Sequence, residues 1–395
     1  MFERFATPCD MPMRQGQVVE VLVTGANEFI GRNVCAALHR RKDVRLRGHD
    51  LDDTAEELDA TLQTADVVFH LAGVHRPRLV EEFETGNAGF TREICRRLEG
   101  FARTPKIVLS SSIQAELDNP YGASKRGAEQ ALRQFCERTG AAGVIHRLKN
   151  EFGKWCRPNY NSVTATFCHN TANGLPIQVS DPAHEVDLVY IDDVVSAFLA
   201  ELDAPAEPGC RFADPLPSHR IALGELAARI EFFRDSRLTL LVPDFSDPFN
   251  RHLYATYLSY LGCSDFAYQL NVKSDDRGVL AEFEKSSHSG QIFVSRTRPG
   301  AIRGDHYHDT KTEKFMVVEG EGIIRFRRIG ADRVIEYRVS GHQFRVVDIP
   351  PGYTHSIENV GDTEMVTLFW ACEIFDSERS DTHFEPVIHA TDERV

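Results

Sequence analysis

Residues 300–320, GAIRGDHYHDTKTEKFMVVEG, together with residues 350–359, PPGYTHSIEN, decide how the C-terminal third of this chain folds. Side chains two apart on a strand share a face, so His306 and His308 enter one cavity while Tyr307 points away. A short turn then brings Glu313, and Phe315 and Val317 continue its face as apolar lining. With His355, this makes three imidazoles and one carboxylate that a small β-barrel would aim at a single metal ion. The donor set suits zinc, iron, nickel or manganese, and fewer than six protein ligands leave a position open for chemistry.

The spacing Gly300, His306, His308, Glu313, Gly320 resembles the first motif of the cupin superfamily at every position. Pro350, Gly352, His355 and Asn359 match the second motif, while Phe344 stands where its leading glycine would be and Gly341 lies three residues early. The resemblance implies a C-terminal cupin β-barrel, a jelly roll, with His306, His308, Glu313 and His355 as metal ligands.

A chain of 395 residues exceeds one ordinary core, so two domains are expected. Asp plus Glu outnumber Lys plus Arg, 59 to 45, for a net charge of -14. Such a surface repels phosphate backbones and anionic lipid, which argues against nucleic acid and membrane partners. No apolar run reaches membrane-span length, and the N-terminal MFERFATPCDMPMRQGQ lacks the apolar core of a signal peptide. Nine cysteines without a CxxC pair fit reduced thiols, and the expected location is the cytoplasm.

From Val18 to about Ile191 apolar strands alternate with helical stretches, the pattern of a doubly wound, Rossmann-like parallel sheet. VVEVLVTGA, ADVVFHLAG and KIVLSSS read as strands, and NVCAALHRR reads as the first helix. Beyond Gly262 short strands rich in Phe, Val and Ile alternate with Gly, Pro and Asp turns, as in a barrel. The expected domains are 1–262, α/β, and 263–395, all β.

After the first strand, TGANEFIG (24–31) resembles the GxxGxxG turn of the extended short-chain dehydrogenase/reductase family. Gly25 and Gly31 match its outer glycines, and Glu28 replaces the middle one. Backbone NH groups of such a turn hold a pyrophosphate, and a carboxylate there adds bulk and like charge. The chemistry would come from Ser112 at a strand end, followed by Tyr121 and Lys125 one helical turn apart. The ammonium is expected to lower the phenol's pKa from about 10, so that Tyr121 exchanges a proton with a carbonyl oxygen held by Ser112. The resemblance implies cofactor contacts from Gly25, Glu28, Phe29, Ile30, Gly31, Arg32, Asp50, Leu71, Ala72, Gly73 and Lys125. Asp50 favours a ribose hydroxyl and hence NADH, whereas Arg32, Arg45 and Arg47 favour the 2'-phosphate of NADPH.

Both modules in this order, with SSIQAELDNPYGASK, FGKWCRPNYNSV, LVYIDDVV and PPGYTHSIENVGDTEMVTLFWA, look like the CapF-type enzymes of capsular polysaccharide and O-antigen synthesis. That resemblance implies a homodimeric, bifunctional enzyme acting on a UDP-linked N-acetylated 4-keto-6-deoxyhexose. The cupin domain would epimerise C3 with Zn2+ bound, and the reductase domain would reduce the C4 ketone with NADPH, NADH being the alternative. Arg157, Asn159 and Asn161 would hold the UDP portion, with Arg277, Arg303 and Glu282 beside the sugar nucleotide in the barrel. His308, Tyr337 and Tyr353 are the candidate proton carriers for epimerisation. RLKNEFG stands where the family carries RLPNVFG, so Lys149 and Glu151 add charge to an apolar region. Two competing readings are a nucleotide-sugar-binding protein with a degenerate reductase, in which only the cupin works, and a metal-dependent oxygenase.

Overall fold

The computed structural model describes residues 18–388. The chain divides into two compact units. The first comprises the chain up to Asn170, Gly174–Ala227 and Leu258–Tyr260, and the second comprises Thr171–Asn173, Ala228–Tyr257 and everything from Leu261.

In the first unit, β1 (Val19–Thr24), β2 (Val44–His49), β3 (Val67–His70), β4 (Lys106–Ser112), β5 (Ala142–Leu148) and β8 (Gly209–Phe212) form one parallel sheet. Its order is β2-β1-β3-β4-β5-β8. Alternation along β1 explains why both faces are covered. Leu22 packs with Leu58, Ile94, Leu98, Leu132 and Phe135, while Val21 and Val23 pack with Val34, Leu38, Val194 and Phe198. Helices Ala55–Leu62, Phe90–Glu99 and Pro120–Thr139 therefore cover one face, and Phe29–Leu38 and Ile191–Asp203 the other. The order reverses between β1 and β3, so the loops after these strands diverge and open a crevice at their C-terminal ends. A side sheet of β6 (Asn150–Phe152), β7 (Glu185–Tyr190) and β9 (His219–Ala222) carries Glu151.

In the second unit every strand pairing is antiparallel among β10 (Val272–Asp275), β11 (Gly278–Ser286), β12 (Gly290–Thr297), β13 (Ile302–Tyr307), β14 (Glu313–Glu319), β15 (Glu321–Arg328), β16 (Val334–Ser340), β17 (Val346–Ile349), β18 (Tyr353–Asn359), β19 (Met365–Ala371) and β20 (His383–Phe384). They form sheets ordered β10-β11-β12-β19-β14-β17 and β16-β15-β18-β13-β20. Phe315, Val317, Ile349 and Phe369 of one sheet meet Ile324, Phe326, Val339 and Ile357 of the other, so the core lies between them. The fold class is the expected one: a Rossmann-like α/β unit, then an antiparallel β unit. Among the described residues no helix is long and apolar enough to cross a membrane.

Candidate functional site

Close backbone approach dictates the glycines of the first turn. Gly25 has φ +69°, and a Cβ there would lie 2.8 Å from the Ala72 Cα; one on Gly31 would lie 2.0 Å from the Gly25 carbonyl oxygen. Glu28 is different. It is the N-cap of helix Phe29–Leu38 with φ −82° and ψ 173°, extended backbone open to any residue. Its side chain is exposed and makes no capping hydrogen bond, so the substitution costs the fold no strain. Phe29 and Ile30 pack partly buried against the core, and Arg32 is exposed. The Asp50 carboxylate accepts the Asn27 N–H at 3.1 and 3.2 Å, which braces the turn from within the protein. Arg45 pairs with Glu20, whereas Arg47 is exposed. Leu71 and Ala72 donate to the Thr24 carbonyl and hydroxyl at 3.2 and 3.3 Å, which seats the loop after β3 against the turn. A Cβ on Gly73 would lie 3.1 Å from Lys125 Nζ, so this loop also touches the catalytic candidates.

Those candidates converge at the end of β4. Asn119 caps helix Pro120–Thr139 by accepting the Gly122 N–H at 2.8 Å, and Pro120 begins it. Tyr121 and Lys125 therefore stack one turn apart, with Nζ 5.9 Å from the phenol ring centre. Lys125 is 4% exposed and donates to the Ser110 carbonyl at 3.2 Å. Burial pushes its ammonium down to about 8, against the pull of Glu151 and Glu129. The expected lowering of Tyr121 is not found. Burial pushes the phenol up, the Glu151 charge adds to this, and only a hydrogen bond with Ser112 opposes it. Loss of water around a phenolate outweighs the ammonium one turn away.

Three residues of this site escaped the sequence reading or change meaning in the structure. His75 Nδ1 lies 3.2 Å from the Tyr121 hydroxyl, and its ring is pushed toward the neutral form by burial against Tyr121 and by Lys125, although the residue as a whole is exposed. Its signal was its place just beyond the β3 end, in AGVHRP. Asn87 is 3% exposed and accepts the Val74 N–H at 2.9 Å while donating to Ser124 Oγ at 2.9 Å, which ties the His75 loop to helix Pro120–Thr139. Glu151, noted above only as a departure, is pushed up to about 7 by burial, against its own backbone hydrogen bond and Lys125. Its neighbour Lys149 donates to Ser218 Oγ at 2.8 Å. In the loop beyond, Arg157 lies over the Tyr160 ring, Asn159 adopts φ +55° with its N–H on Thr166 Oγ1, and Asn161 is exposed.

In the β unit, His306, His308, Glu313 and His355 bring one ligand atom each to within 4.8 Å of one another. His308 Nε2 and His355 Nε2 each lie 3.4 Å from Glu313 Oε2, and neither has a hydrogen-bond partner despite complete burial. His308 Nδ1 donates to the Asp381 carbonyl and His355 Nδ1 faces the Tyr353 carbonyl at 3.5 Å. These contacts fix the tautomers so that both Nε2 lone pairs face the cluster. Burial pushes His306 down to about 4, with the neighbouring imidazoles adding to the fall. For Glu313 burial acts upward, but the His308 and His355 imidazoles beside it and the Lys311 charge hold the carboxyl well below its usual range. Orphaned imidazole nitrogens around an ionised carboxylate fit a divalent metal.

A bulge decides what else faces the cluster. Gly304 pairs with Ser356 and His306 with His355, which leaves Asp305 unpaired at φ +56°. Arg303 thus pairs with Ile357 and shares a face with His355, whereas an unbroken strand would turn it away from His306. It donates to Thr297 Oγ1 at 3.1 Å, lies 3.8 Å from Asp275, and burial lowers its pKa. Arg277 binds the same Asp275, while Glu282 sits between Lys273 and Lys285. Of the proton-carrier candidates, His308 is part of the cluster, Tyr353 packs on the core, and Tyr337 stacks against Phe326 and the Arg345 guanidinium. Asp381, unsuspected from sequence, accepts the N–H groups of Asp309, Thr310 and Lys311 at 2.8 to 2.9 Å.

Residues 21–211 match the NAD dependent epimerase/dehydratase family, and residues 273–383 match the polysaccharide biosynthesis C-terminal domain. The chain is 42% identical to the UDP-2-acetamido-2,6-beta-L-arabino-hexul-4-ose reductase of Pseudomonas aeruginosa, over 92% of this chain and 98% of that protein. The crystal structure of the capsular polysaccharide assembling protein CapF from Staphylococcus aureus superposes with a TM-score of 0.86, at 44% identity, over 93% of this chain and all of that one. CapF bound to the inhibitor 3-isopropenyl-tropolone superposes at 0.83, with 40% identity over 93% of this chain and all of that one. The chain belongs to the CapF family, two-unit proteins that join an NAD dependent epimerase/dehydratase unit to a polysaccharide biosynthesis C-terminal domain.

Proposed function

We propose that this chain is a bifunctional enzyme acting on UDP-2-acetamido-2,6-dideoxy-β-L-arabino-4-hexulose. Its β unit, read as a cupin, epimerises C3 with zinc, and its α/β unit reduces the C4 ketone with NADPH. The product is UDP-N-acetyl-6-deoxy-L-talosamine, on the route to UDP-N-acetyl-L-fucosamine for capsule or O-antigen. The reading includes a cytoplasmic homodimer. One observation carries it: a chain that brings Ser112 at the end of β4 against Tyr121 of the helix that carries Lys125 also holds a buried His/Glu cluster with two orphaned Nε2 atoms. The Pseudomonas aeruginosa relative, named as a reductase of this keto sugar, supports the substrate. The tropolone in one CapF structure supports the metal, because vicinal oxygens on a tropolone ring form a bidentate chelator.

Bound nicotinamide would supply a hydride, and a bound divalent metal would supply a Lewis acid that makes the hydrogen next to the ketone more acidic. Tyr121, kept protonated by its burial, gives its proton to the C4 oxygen while Ser112 holds that oxygen. The Lys125 ammonium then stabilises the phenolate that remains. His306, His308, Glu313 and His355 would hold the metal, and Arg303 would orient the substrate from the same face. Incubating the zinc-loaded chain with the keto sugar nucleotide in deuterated water, without NADPH, tests the first half: deuterium should appear at C3, and its absence removes the epimerase. Adding NADPH tests the second, since a chain that does not oxidise it is no reductase.

A further inference from the structure

Acidic groups outnumber basic ones in this chain. Even so, neither Arg76 nor Arg157 has a carboxylate within ion-pair distance among the described residues, and both guanidiniums lie against one ring, at 5.7 and 4.9 Å from the centre of Tyr160. Two like charges gathered on one aromatic repel each other, and a ring contact at an exposed site returns little against that. An arrangement of that kind is completed by an anion.

Its surroundings are built rather than accidental. Trp155 at φ +69° and Asn159 at φ +55° flank Arg157, and the left-handed region, which asparagine adopts readily, is unfavourable for the tryptophan. The segment is held there by the Tyr260 hydroxyl donating to the Cys156 carbonyl at 2.6 Å and by the Asn159 N–H donating to Thr166 Oγ1 at 2.9 Å. Arg76 follows His75, whose Nδ1 is 3.2 Å from the Tyr121 hydroxyl. The pair is therefore tied through one residue to the group that would protonate a substrate oxygen.

We propose that Arg76 and Arg157, braced on Tyr160, bind the diphosphate of the nucleotide-sugar substrate and fix its distance from Tyr121. The proposal rests on the reading of the α/β unit as a nucleotide-sugar reductase, and it adds Arg76 and Tyr160 to the residues expected from sequence. A guanidinium fork matches two phosphoryl oxygens, and stacking on an aromatic presets its plane. The same chemistry could meet the pyrophosphate of a dinucleotide, but the Gly25–Gly31 turn and the helix start behind it already serve that group. The clamp is thus assigned to a second diphosphate.

Calorimetric titration of the full chain with UDP, UMP and NADPH tests this, comparing wild type with Arg76→Ala, Arg76→Lys and Arg157→Ala. Each alanine variant should weaken UDP by roughly tenfold to a hundredfold and erase most of the preference for UDP over UMP. NADPH affinity should stay unchanged, and Arg76→Lys should recover part of the loss, since it keeps the charge without the fork. If wild type binds UDP and Arg76→Ala binds it equally well, the clamp is wrong while the reductase reading stands. Parallel loss of NADPH affinity also overturns the clamp, because it makes Arg76 a cofactor or folding residue. A wild-type chain that binds no UDP overturns the clamp and the nucleotide-sugar reading together.

Discussion

Glu28→Gly is expected to tighten NADPH binding about three- to tenfold at low salt, and the structure supplies the terms. Glu28 occupies the N-cap position of the helix that would receive the pyrophosphate, in extended backbone, with an exposed carboxylate that makes no capping hydrogen bond. At about 6 Å in water a carboxylate repels one phosphate charge by about 0.7 kcal/mol, and two charges by about 1.4. Screening at physiological ionic strength removes roughly half of that. Against the gain, the acid at a helix N-terminus contributes about 0.3–1 kcal/mol to the free enzyme, and glycine adds backbone entropy to the unfolded chain. The variant should therefore melt slightly earlier while binding the cofactor more tightly. Fluorescence titration with NADPH at 20 mM and again at 1 M salt separates charge from shape, because the Debye length falls to about 3 Å at 1 M. Equal affinities at low salt refute the reasoning, and so does a gain that persists unchanged at high salt.

Further outcomes follow from the two clusters. Asp381→Asn leaves one acceptor oxygen for the three N–H groups beyond His308, and should weaken zinc binding about 10- to 100-fold in competition with a chromophoric chelator; unchanged affinity removes Asp381 from the metal's support. Glu151 has a folded pKa raised to about 7 from 4.5, so its protonated form favours the fold, and that contribution is lost as pH rises through about 7. Glu151→Val should consequently stabilise the chain at pH 8, by at most about 3 kcal/mol because the residue is partly exposed, and should do so little at pH 4.5. Urea midpoints at the two pH values check this, and an equal gain at both would point to packing alone. Tyr121→Phe should lower NADPH oxidation by about 100-fold or more while C3 deuterium exchange continues, and a matching fall in exchange would contradict separate proton machinery.

The two sites were legible to different depths for physical reasons. The His/Glu cluster showed in the sequence because three of its four donors fall within eight residues, where strand alternation fixes direction. The direction of Arg303 was not legible, since it depends on a bulge at Asp305 that reverses the alternation between residues 303 and 306. Asp381 was invisible because its contact with His308 spans 73 residues, and His75 because its contact with Tyr121 spans 46. Glu28 was legible as a departure from a glycine pattern, but its harmless extended backbone was not. The sign of the Tyr121 shift went wrong for a related reason: sequence spacing shows the ammonium one turn away but not the burial that outweighs it.

Under the proposed reading the two reactions have one possible order, set by the substrate's carbon chemistry. A hydrogen at C3 is acidic only while C4 is a carbonyl, because the charge left at C3 delocalises onto the C4 oxygen. Once Tyr121 and hydride have turned C4 into an alcohol, that delocalisation is gone and the C3–H bond is no longer acidic. Epimerisation must therefore precede reduction, and a slow reductase leaves the C3 centre equilibrating rather than stalled. Wild-type chain with limiting NADPH should release keto sugar already exchanged at C3, and Tyr121→Phe should accumulate it. The isolated alcohol, incubated with zinc-loaded chain in deuterated water, should take up no deuterium at C3. Exchange into that alcohol would show that the β unit removes the proton without help from the C4 carbonyl, and the role given to His306, His308, Glu313 and His355 would fall with it.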